Sequence, residues 1–162
     1  MKSACFTGHR NAPDDKQVAK TLEKIIVQLI EEGVTHFYAG NARGWDYICE
    51  RTVMLMRNRT YDQIRLHLLL PCSEEEQMRR WKQDDKKRAY MMMKAADCVE
   101  LLSNEYYDGC MKVRNQELVD RSDVCICYYN ERRFISGTGQ TVRMAQKKGI
   151  PVINVRDLTN EQ

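Results

Sequence analysis

Several signatures that would assign a chemistry directly are absent from this sequence. No G-x-x-x-x-G-K-[ST] stretch occurs, which argues against a P-loop ATPase. No G-x-G-x-x-G follows the first strand candidate, which disfavours an ordinary hydride-transferring dehydrogenase. There is also no run of eighteen apolar residues and no signal-peptide core near the N-terminus, so we expect neither a membrane span nor export.

Clustered metal ligands are absent too. The seven cysteines include no C-x-x-C pair, and the three histidines stand apart from one another. Four of the cysteines lie within apolar strand candidates, where a free thiol behaves as a small hydrophobic group: Cys5, Cys98, Cys125 and Cys127. An odd number of scattered cysteines predicts reduced thiols, a cytoplasmic protein and no metal site. Nothing in the sequence indicates a bound cofactor.

A strong excess of charge of either sign is likewise missing. The 162 residues carry 26 Lys and Arg against 23 Asp and Glu, and 43% of them are apolar. This composition is typical of a globular protein, and a net charge of +3 is too small to indicate nucleic-acid binding by itself. The length predicts one domain covering residues 1–162.

Short apolar runs alternate with longer segments of helical periodicity. The predicted strands are 3–8, 35–40, 64–71, 97–103, 123–129 and 151–155, and the predicted helices between them are 12–33, 42–59, 73–96, 109–122 and 137–149. Strict alternation with crossovers of this length is typical of a parallel sheet. The sequence therefore predicts an α/β fold, a single Rossmann-like three-layer domain with a mostly parallel sheet and helices on both faces.

Glycines, hydroxyls and arginines follow three of the predicted strands, where ligands bind in open parallel sheets. These residues are Thr7, Gly8, His9 and Arg10 after the first strand, Gly40, Arg43, Gly44 and Asp46 after the second, and Ser136, Gly137, Thr138 and Gly139 after the fifth. The second and third groups begin helices, where free backbone N–H groups and the helix dipole favour an anion. Together they predict a site for a phosphate-bearing ligand.

Each of these residues also has a purely structural interpretation. A glycine such as Gly8 serves tight turns everywhere. Trp45 is as consistent with packing as with stacking on a base, and Trp81 is better explained by packing. Arg114 lies in a helix suited to packing on the sheet, so it must either reach solvent or face an anion, because burial of an unpaired charge is costly.

Four motifs stand out within residues 3–155: FTGHR, GNARGWD, VRNQELVDRSDVCICYY and SGTGQTVRMAQKKGIPV. Together they resemble the YpsA-like branch of the SLOG superfamily, which also contains the LONELY GUY phosphoribohydrolases and DNA-processing protein A. The resemblance implies a Rossmann-like sheet whose carboxyl edge accepts a nucleotide or a nucleotide-derived ligand. It also raises a homodimer as an expectation, since many members of the superfamily self-associate.

The resemblance carries over only in part to catalytic residues. Arg114 and Asn115 stand where the LONELY GUY enzymes have an Arg-Lys pair whose arginine is implicated in catalysis. Those enzymes also have a glutamate that assists cleavage of the N-glycosidic bond, and its position here is taken by Arg143. An arginine would oppose the cationic transition state of that reaction. Asp46 or Glu117 would have to replace the glutamate, with Arg114 orienting the phosphate.

Three functional hypotheses follow. The first is a sensor or accessory protein that binds a small nucleotide-type ligand such as a nucleotide, NAD or ADP-ribose. The second is an enzyme that hydrolyses an N-glycosidic bond of such a ligand. The third, by analogy with DNA-processing protein A, is single-stranded DNA binding, which the mild net charge and the lack of a basic–aromatic stripe disfavour.

Overall fold

Strands and helices alternate along the described residues, except that two helices lie between the third and fourth strands. The computed structural model describes residues 2–133 and 135–160. The strands are β1 (Ser3–Gly8), β2 (His36–Ala39), β3 (Arg65–Leu70), β4 (Cys98–Leu101), β5 (Val124–Tyr128) and β6 (Val152–Asn154). The helices are α1 (Lys16–Glu31), α2 (Trp45–Arg59), α3 (Glu74–Met78), α4 (Gln83–Ala95), α5 (Cys110–Asp120), α6 (Gly137–Lys148) and α7 (Val155–Asn160), with a single 3₁₀ turn at Glu131–Arg133. Within those ranges, none of the helices has the length and apolar character that a membrane span requires.

The six strands form one parallel sheet in the order β4-β3-β2-β1-β5-β6. The chain builds outward from β1 to β4 and then returns to the other side of β1 with β5. The strand order therefore reverses between β1 and β5, and this is where a ligand crevice is expected in an open α/β sheet. The predicted α/β, Rossmann-like fold is confirmed.

Helices cover both faces of the sheet, as a parallel sheet requires. One apolar cluster packs α1, α2, α4 and α7 on one face, and a second packs α5 and α6 on the other. In α1 the Asp15 side chain caps the first turn by accepting the Val18 N–H at 2.9 Å. The helix presents its apolar stripe inward, and Gly33 follows it with a φ of 102°.

The segment 73–96 is not the single helix that its periodicity predicts. Ser73 caps α3 by accepting the Glu76 N–H, but α3 ends after five residues. The Trp81 N–H then donates to the Met78 carbonyl in a turn, and Lys82 becomes extended before α4 begins. Met78 of α3 and Met92 of α4 are both buried, and Trp81, between the two helices, lies at the carboxyl edge of the sheet.

Two other expectations need correction at the sheet edge and the C-terminal part. The predicted strand around Cys98 exists as β4, but it is the edge strand and three of its four residues are exposed, Cys98 among them. Helix α7 was not predicted, because it has six residues and follows β6 without a loop. Val155 at its start is fully buried and ties it to the first apolar cluster.

Candidate functional site

A cavity of about 510 Å³ opens at the carboxyl edge of the sheet, where β1 and β5 meet. We call it the first cavity. Residues from all three predicted loops line it. They are Thr7, Gly8, His9 and Arg10 of the first loop, Arg43 and Asp46 of the second loop, and Ser136, Gly137 and Thr138 of the third loop, together with Arg114 and Asn115 from α5. The topology therefore brings together residues that lie far apart in the sequence, at the edge where the sequence predicts a ligand.

The first cavity is strongly basic. Four arginines line it, Arg10, Arg43, Arg114 and Arg133, and Asp46 is the one carboxylate among the described lining residues. Burial and the nearby Arg10 lower the pKa of Arg43. Two cations held close together in a partly dry cleft are stabilised by an anion between them, so the electrostatics favour a negatively charged ligand.

The first loop is shaped by close packing. A Cβ atom on Gly8 would lie 2.3 Å from the ring of Trp45, so only glycine fits there. Trp45 itself is fully buried, with its ring centroid 5.3 Å from that of Tyr128. Trp45 is therefore a packing residue and offers no surface for a base.

His9 supports the turn after β1. Its Nε2 accepts the Asn130 N–H at 3.0 Å, and its carbonyl accepts the N–H groups of Ala12 and Trp45. Burial and the nearby Arg133 lower the pKa of His9, which favours the neutral ring that this acceptor role needs. The imidazole thus joins the first loop to the segment after β5 while it also lines the cavity.

The second loop differs from the sequence-based expectation, because its backbone amides are already occupied. The Asp46 carboxylate accepts the N–H groups of Gly40 at 3.2 Å and Ala42 at 3.1 Å, and Glu50 accepts that of Asn41 at 2.9 Å. The N–H groups of residues 40–42 are therefore not free for a phosphate, contrary to the prediction. Asp46, in the first turn of α2, and Glu50, one turn later, hold the backbone of the loop that precedes their helix.

Gly44 is required by the turn that follows. Its φ is 75°, and a Cβ atom there would lie 2.0 Å from the Arg10 carbonyl oxygen. Gly44 consequently lets the second loop approach the first, and it places Arg10 and Arg43 near one another.

Arg114 lies under both loops and is buried. Its Nη1 donates to the carbonyls of Gly40 at 2.7 Å and Leu69 at 3.3 Å, and its Nε donates to Asn115 Oδ1 at 2.9 Å. A Cβ atom on Gly40 would lie 2.4 Å from that Nη1. The arginine thus fastens the ends of β2 and β3 and supplies positive charge below the cavity.

Two buried carboxyl groups accompany Arg114. Burial raises the pKa of Asp46, while the positive charge of Arg114 opposes the shift. Burial and the neighbouring Asp46 raise the pKa of Glu50 well above its ordinary value. The arrangement favours an ionised Asp46 paired electrostatically with Arg114, and a protonated Glu50 beside them.

The third loop leads into a helix N-terminus that has a neutral side-chain cap and no neighbouring carboxylate in its first turn. Ser136 caps α6 by accepting the Gly139 N–H at 3.0 Å, and the first turn of α6 contains no acidic residue. Gly137 and Thr138 at this end line the cavity. The N–H groups of a first turn have no partner inside the helix, so this end of α6 is the better position for a phosphate.

Some predicted residues lie outside the first cavity. Gly40, Gly44 and Gly139 do not line it, although the first two shape it and the third completes the α6 cap. The Glu117 carboxylate pairs with Arg121 at 2.8 Å and does not line the cavity. Arg143 is exposed and lines a groove between α5 and α6 with Lys112 and Lys147.

Other lining residues were not predicted as ligand contacts. They are Phe6, Asn11, Ala42, Gln77, Trp81, Met111, Leu118 and Arg133. The Arg43 guanidinium lies 4.8 Å from the centre of the Trp81 ring, so the tryptophan orients a cavity arginine and is not simply core. Arg133 could have been identified from the two consecutive arginines just before the third loop, whereas Gln77 depends on the unpredicted end of α3.

Comparison with known proteins places the chain in a family. The model described as the YspA SLOG family, YpsA, matches residues 6–158. The chain belongs to this family. The match includes all three loops of the cavity and confirms the resemblance drawn from the four motifs.

A curated relative is similar over part of its length. The UPF0398 protein BH1768 of Halalkalibacterium halodurans is 29% identical over 116 residues, which are 70% of this chain and 60% of that protein. This chain therefore matches less than two thirds of its relative.

Two solved structures share the fold. DNA processing protein A from Helicobacter pylori, described with a single-stranded DNA binding mode, superposes with a TM-score of 0.63 at 17% identity, covering 99% of this chain and 72% of the other. A protein designated TM1055 superposes with a TM-score of 0.58 at 14% identity, covering 100% and 82%. At these identities the likeness concerns the fold alone.

Proposed function

We propose that this YpsA-family protein binds a nucleotide or nucleotide-derived ligand, with the ligand's phosphate in the first cavity, as a sensor or accessory protein. The observation that carries the proposal is the convergence of four arginines and the positive end of the α6 helix dipole on one cleft at the strand-order reversal. Phosphate groups match both the charge and the donor geometry of such a cleft.

Binding without hydrolysis is the better match to the side chains. Asp46 is the one carboxylate among the described lining residues, and its Oδ2 already accepts two backbone N–H groups. Glu117 is paired outside the cavity, and the family position of the hydrolytic glutamate holds Arg143, also outside. A general acid or base must reach the reacting bond, and neither Glu117 nor Arg143 lines the cleft where that bond would lie.

The test is thermal denaturation with a panel of AMP, ADP, NAD and ADP-ribose. A ligand that binds only the folded protein at 100 times its Kd adds about 2.7 kcal/mol of stability, so the Tm rises. We expect the double variant Arg10→Ala/Arg133→Ala to lose this rise, because two of the four cavity arginines are removed. The matched control is Arg80→Ala/Arg132→Ala, which removes two exposed arginines that line neither this cavity nor its neighbours.

Three results would contradict the proposal or favour an alternative. A flat response across the panel at millimolar ligand overturns it. If chromatography shows that a stabilising nucleotide is cleaved over hours, and that Asp46→Asn no longer cleaves it, the protein is a hydrolase and the proposal of binding alone is wrong. Retention on single-stranded DNA that falls steeply with salt and is unaffected by the cavity variant favours the third hypothesis.

A further inference from the structure

A second cavity, of about 370 Å³, adjoins the first on the α2 and α4 side of the second loop. Four residues line both cavities, namely Arg10, Ala42, Arg43 and Trp81. The two spaces therefore meet at the cavity arginines, and one ligand can extend from the first into the second.

The second cavity has aromatic and aliphatic walls. Tyr47 and Ile48 from α2 and Ala89 from α4 line it, and Trp81 stands at the junction. The guanidinium groups of Arg51 and Arg88 lie 5.3 and 5.8 Å from the Tyr47 ring centre, which restrains the ring. Such walls accept a planar, largely apolar group.

The charges of the two cavities differ. The first has four arginines and one aspartate, whereas the second has three arginines, the two aspartates Asp14 and Asp85, and the protonated Glu50. The excess of positive charge is therefore larger in the first cavity, and a ligand that spans both places its anionic part in the first and its uncharged part in the second.

Polar atoms without partners are also present at the second cavity. Asn41 and Glu50 line it, each about 1% exposed. Within the described part of the chain, both polar side-chain atoms of Asn41 and the Oε1 of Glu50 make no hydrogen bond. A buried polar atom without a hydrogen-bond partner destabilises the folded protein until a partner is supplied. These atoms therefore favour a ligand whose edge carries hydrogen-bond donors and acceptors. The edge of a nucleobase has this pattern, and an asparagine amide can pair with it through two bonds.

We propose that the second cavity holds the nucleobase of the ligand whose phosphate occupies the first cavity, with Arg10 and Arg43 between them. This inference rests on the proposed function and adds to it the position and recognition of the base. Tyr47 and Trp81 provide the stacking surfaces, and the buried Asn41 amide provides the polar contact.

The test compares ligands with and without a base by titration calorimetry. The probes are AMP, GMP, CMP, UMP and ribose 5-phosphate, which shares their phosphate and sugar but lacks the base. Stacking and base contacts should make at least one of the four nucleotides bind about tenfold more tightly than ribose 5-phosphate. Ala89→Leu, which fills the second cavity alone, should reduce that nucleotide to the affinity of ribose 5-phosphate and leave ribose 5-phosphate unchanged.

Ala95→Leu is the control, since Ala95 is half-buried on the same helix and lines neither cavity. Equal affinity of the wild-type protein for ribose 5-phosphate and for all four nucleotides overturns the base site, and this comparison needs no variant. Unchanged nucleotide affinity in a folded Ala89→Leu protein overturns it as well. In both cases phosphate binding in the first cavity stands. If none of the five probes binds, the proposed function itself fails and the base site fails with it.

Discussion

Glu50 is a buried carboxyl group beside a second buried carboxyl group, and this makes the stability of the protein depend on pH. Its folded-state pKa is raised well above the ordinary value by burial and by Asp46. The unfolded chain loses this proton near the ordinary carboxyl pKa of about 4.3, whereas the folded chain keeps it. The free energy of unfolding therefore falls as the pH rises above that value, until the folded carboxyl also ionises.

Replacing Glu50 with glutamine should remove this penalty. The amide oxygen of Glu50→Gln can still accept the Asn41 N–H, and it never ionises. We expect the Tm of the variant to match that of the wild-type protein in acid and to exceed it increasingly toward alkaline pH, in thermal melts from about pH 4.5 to 8. Glu105→Gln, at an exposed position, serves as the control. Parallel pH profiles for the wild-type and Glu50→Gln proteins would contradict the buried protonated carboxyl.

The site also shows, residue by residue, what the sequence could and could not predict. The three loops at the sheet edge follow from the alternation of strands and helices and from glycine and hydroxyl positions, and the cavity forms there. The fate of the amides in the second loop could not be predicted, because the acceptors belong to α2 and their rotamers depend on packing. Asp46 and Glu50, four positions apart on one helix face, were the available signal.

In the first turn of α6, a side-chain cap lies beside the phosphate position proposed above. The Ser136 hydroxyl accepts the Gly139 N–H, and residues 137 and 138 line the first cavity. Ser136→Ala should cost about 1 kcal/mol of stability through loss of the cap. Ser136→Asp keeps an acceptor and adds a negative charge that the helix dipole favours, so its stability should equal or exceed that of the wild-type protein.

Nucleotide binding should respond in the opposite order. The aspartate charge competes with a phosphate for the same N–H groups, so Ser136→Asp should bind AMP at least about tenfold more weakly, while Ser136→Ala loses less affinity. Chemical denaturation and calorimetry on the two variants measure the two effects separately. Wild-type AMP affinity in Ser136→Asp would exclude the α6 N-terminus as the phosphate position.

Elements with complete start and stop signals were predictable, and those positioned by tertiary contacts were not. Asp15 and Gly33 delimit α1 as their types indicate. No glycine or proline marks the break between α3 and α4. The residues at the break, 79–82, are all compatible with a helix, so the sequence predicts that the helix continues through them. The break forms where Trp81 turns toward the cavities and packs with Arg43, a contact between segments almost forty positions apart that no local pattern encodes.

The fold joins distant segments at both edges of the sheet, around the cavities at the carboxyl edge and through hydrogen bonds to the backbone at the amino edge. At the amino edge, Asp123 accepts the N–H groups of Lys2 and Ser3 and ties β5 to β1. At the carboxyl edge, the residues that follow β1, β2 and β5 surround the cavities. A ligand that bridges the carboxyl edge should therefore stabilise segments that are remote in sequence and leave the amino edge unchanged.

Hydrogen exchange detected by mass spectrometry can test this pattern. With saturating AMP, we expect slower exchange in residues 8–12 and 136–140, which border the first cavity, and a smaller change in residues 40–42, whose N–H groups Asp46 and Glu50 already hold. Residues 2–4 and 121–124 at the amino edge are the internal control.

Bound single-stranded DNA would instead follow the basic groove between α5 and α6, where Lys112, Arg143 and Lys147 lie, and would protect residues 140–148. Protection confined to that groove, with none around residues 8–12, would show that the groove and not the cavities is the binding surface, and would favour a nucleic-acid backbone as the ligand.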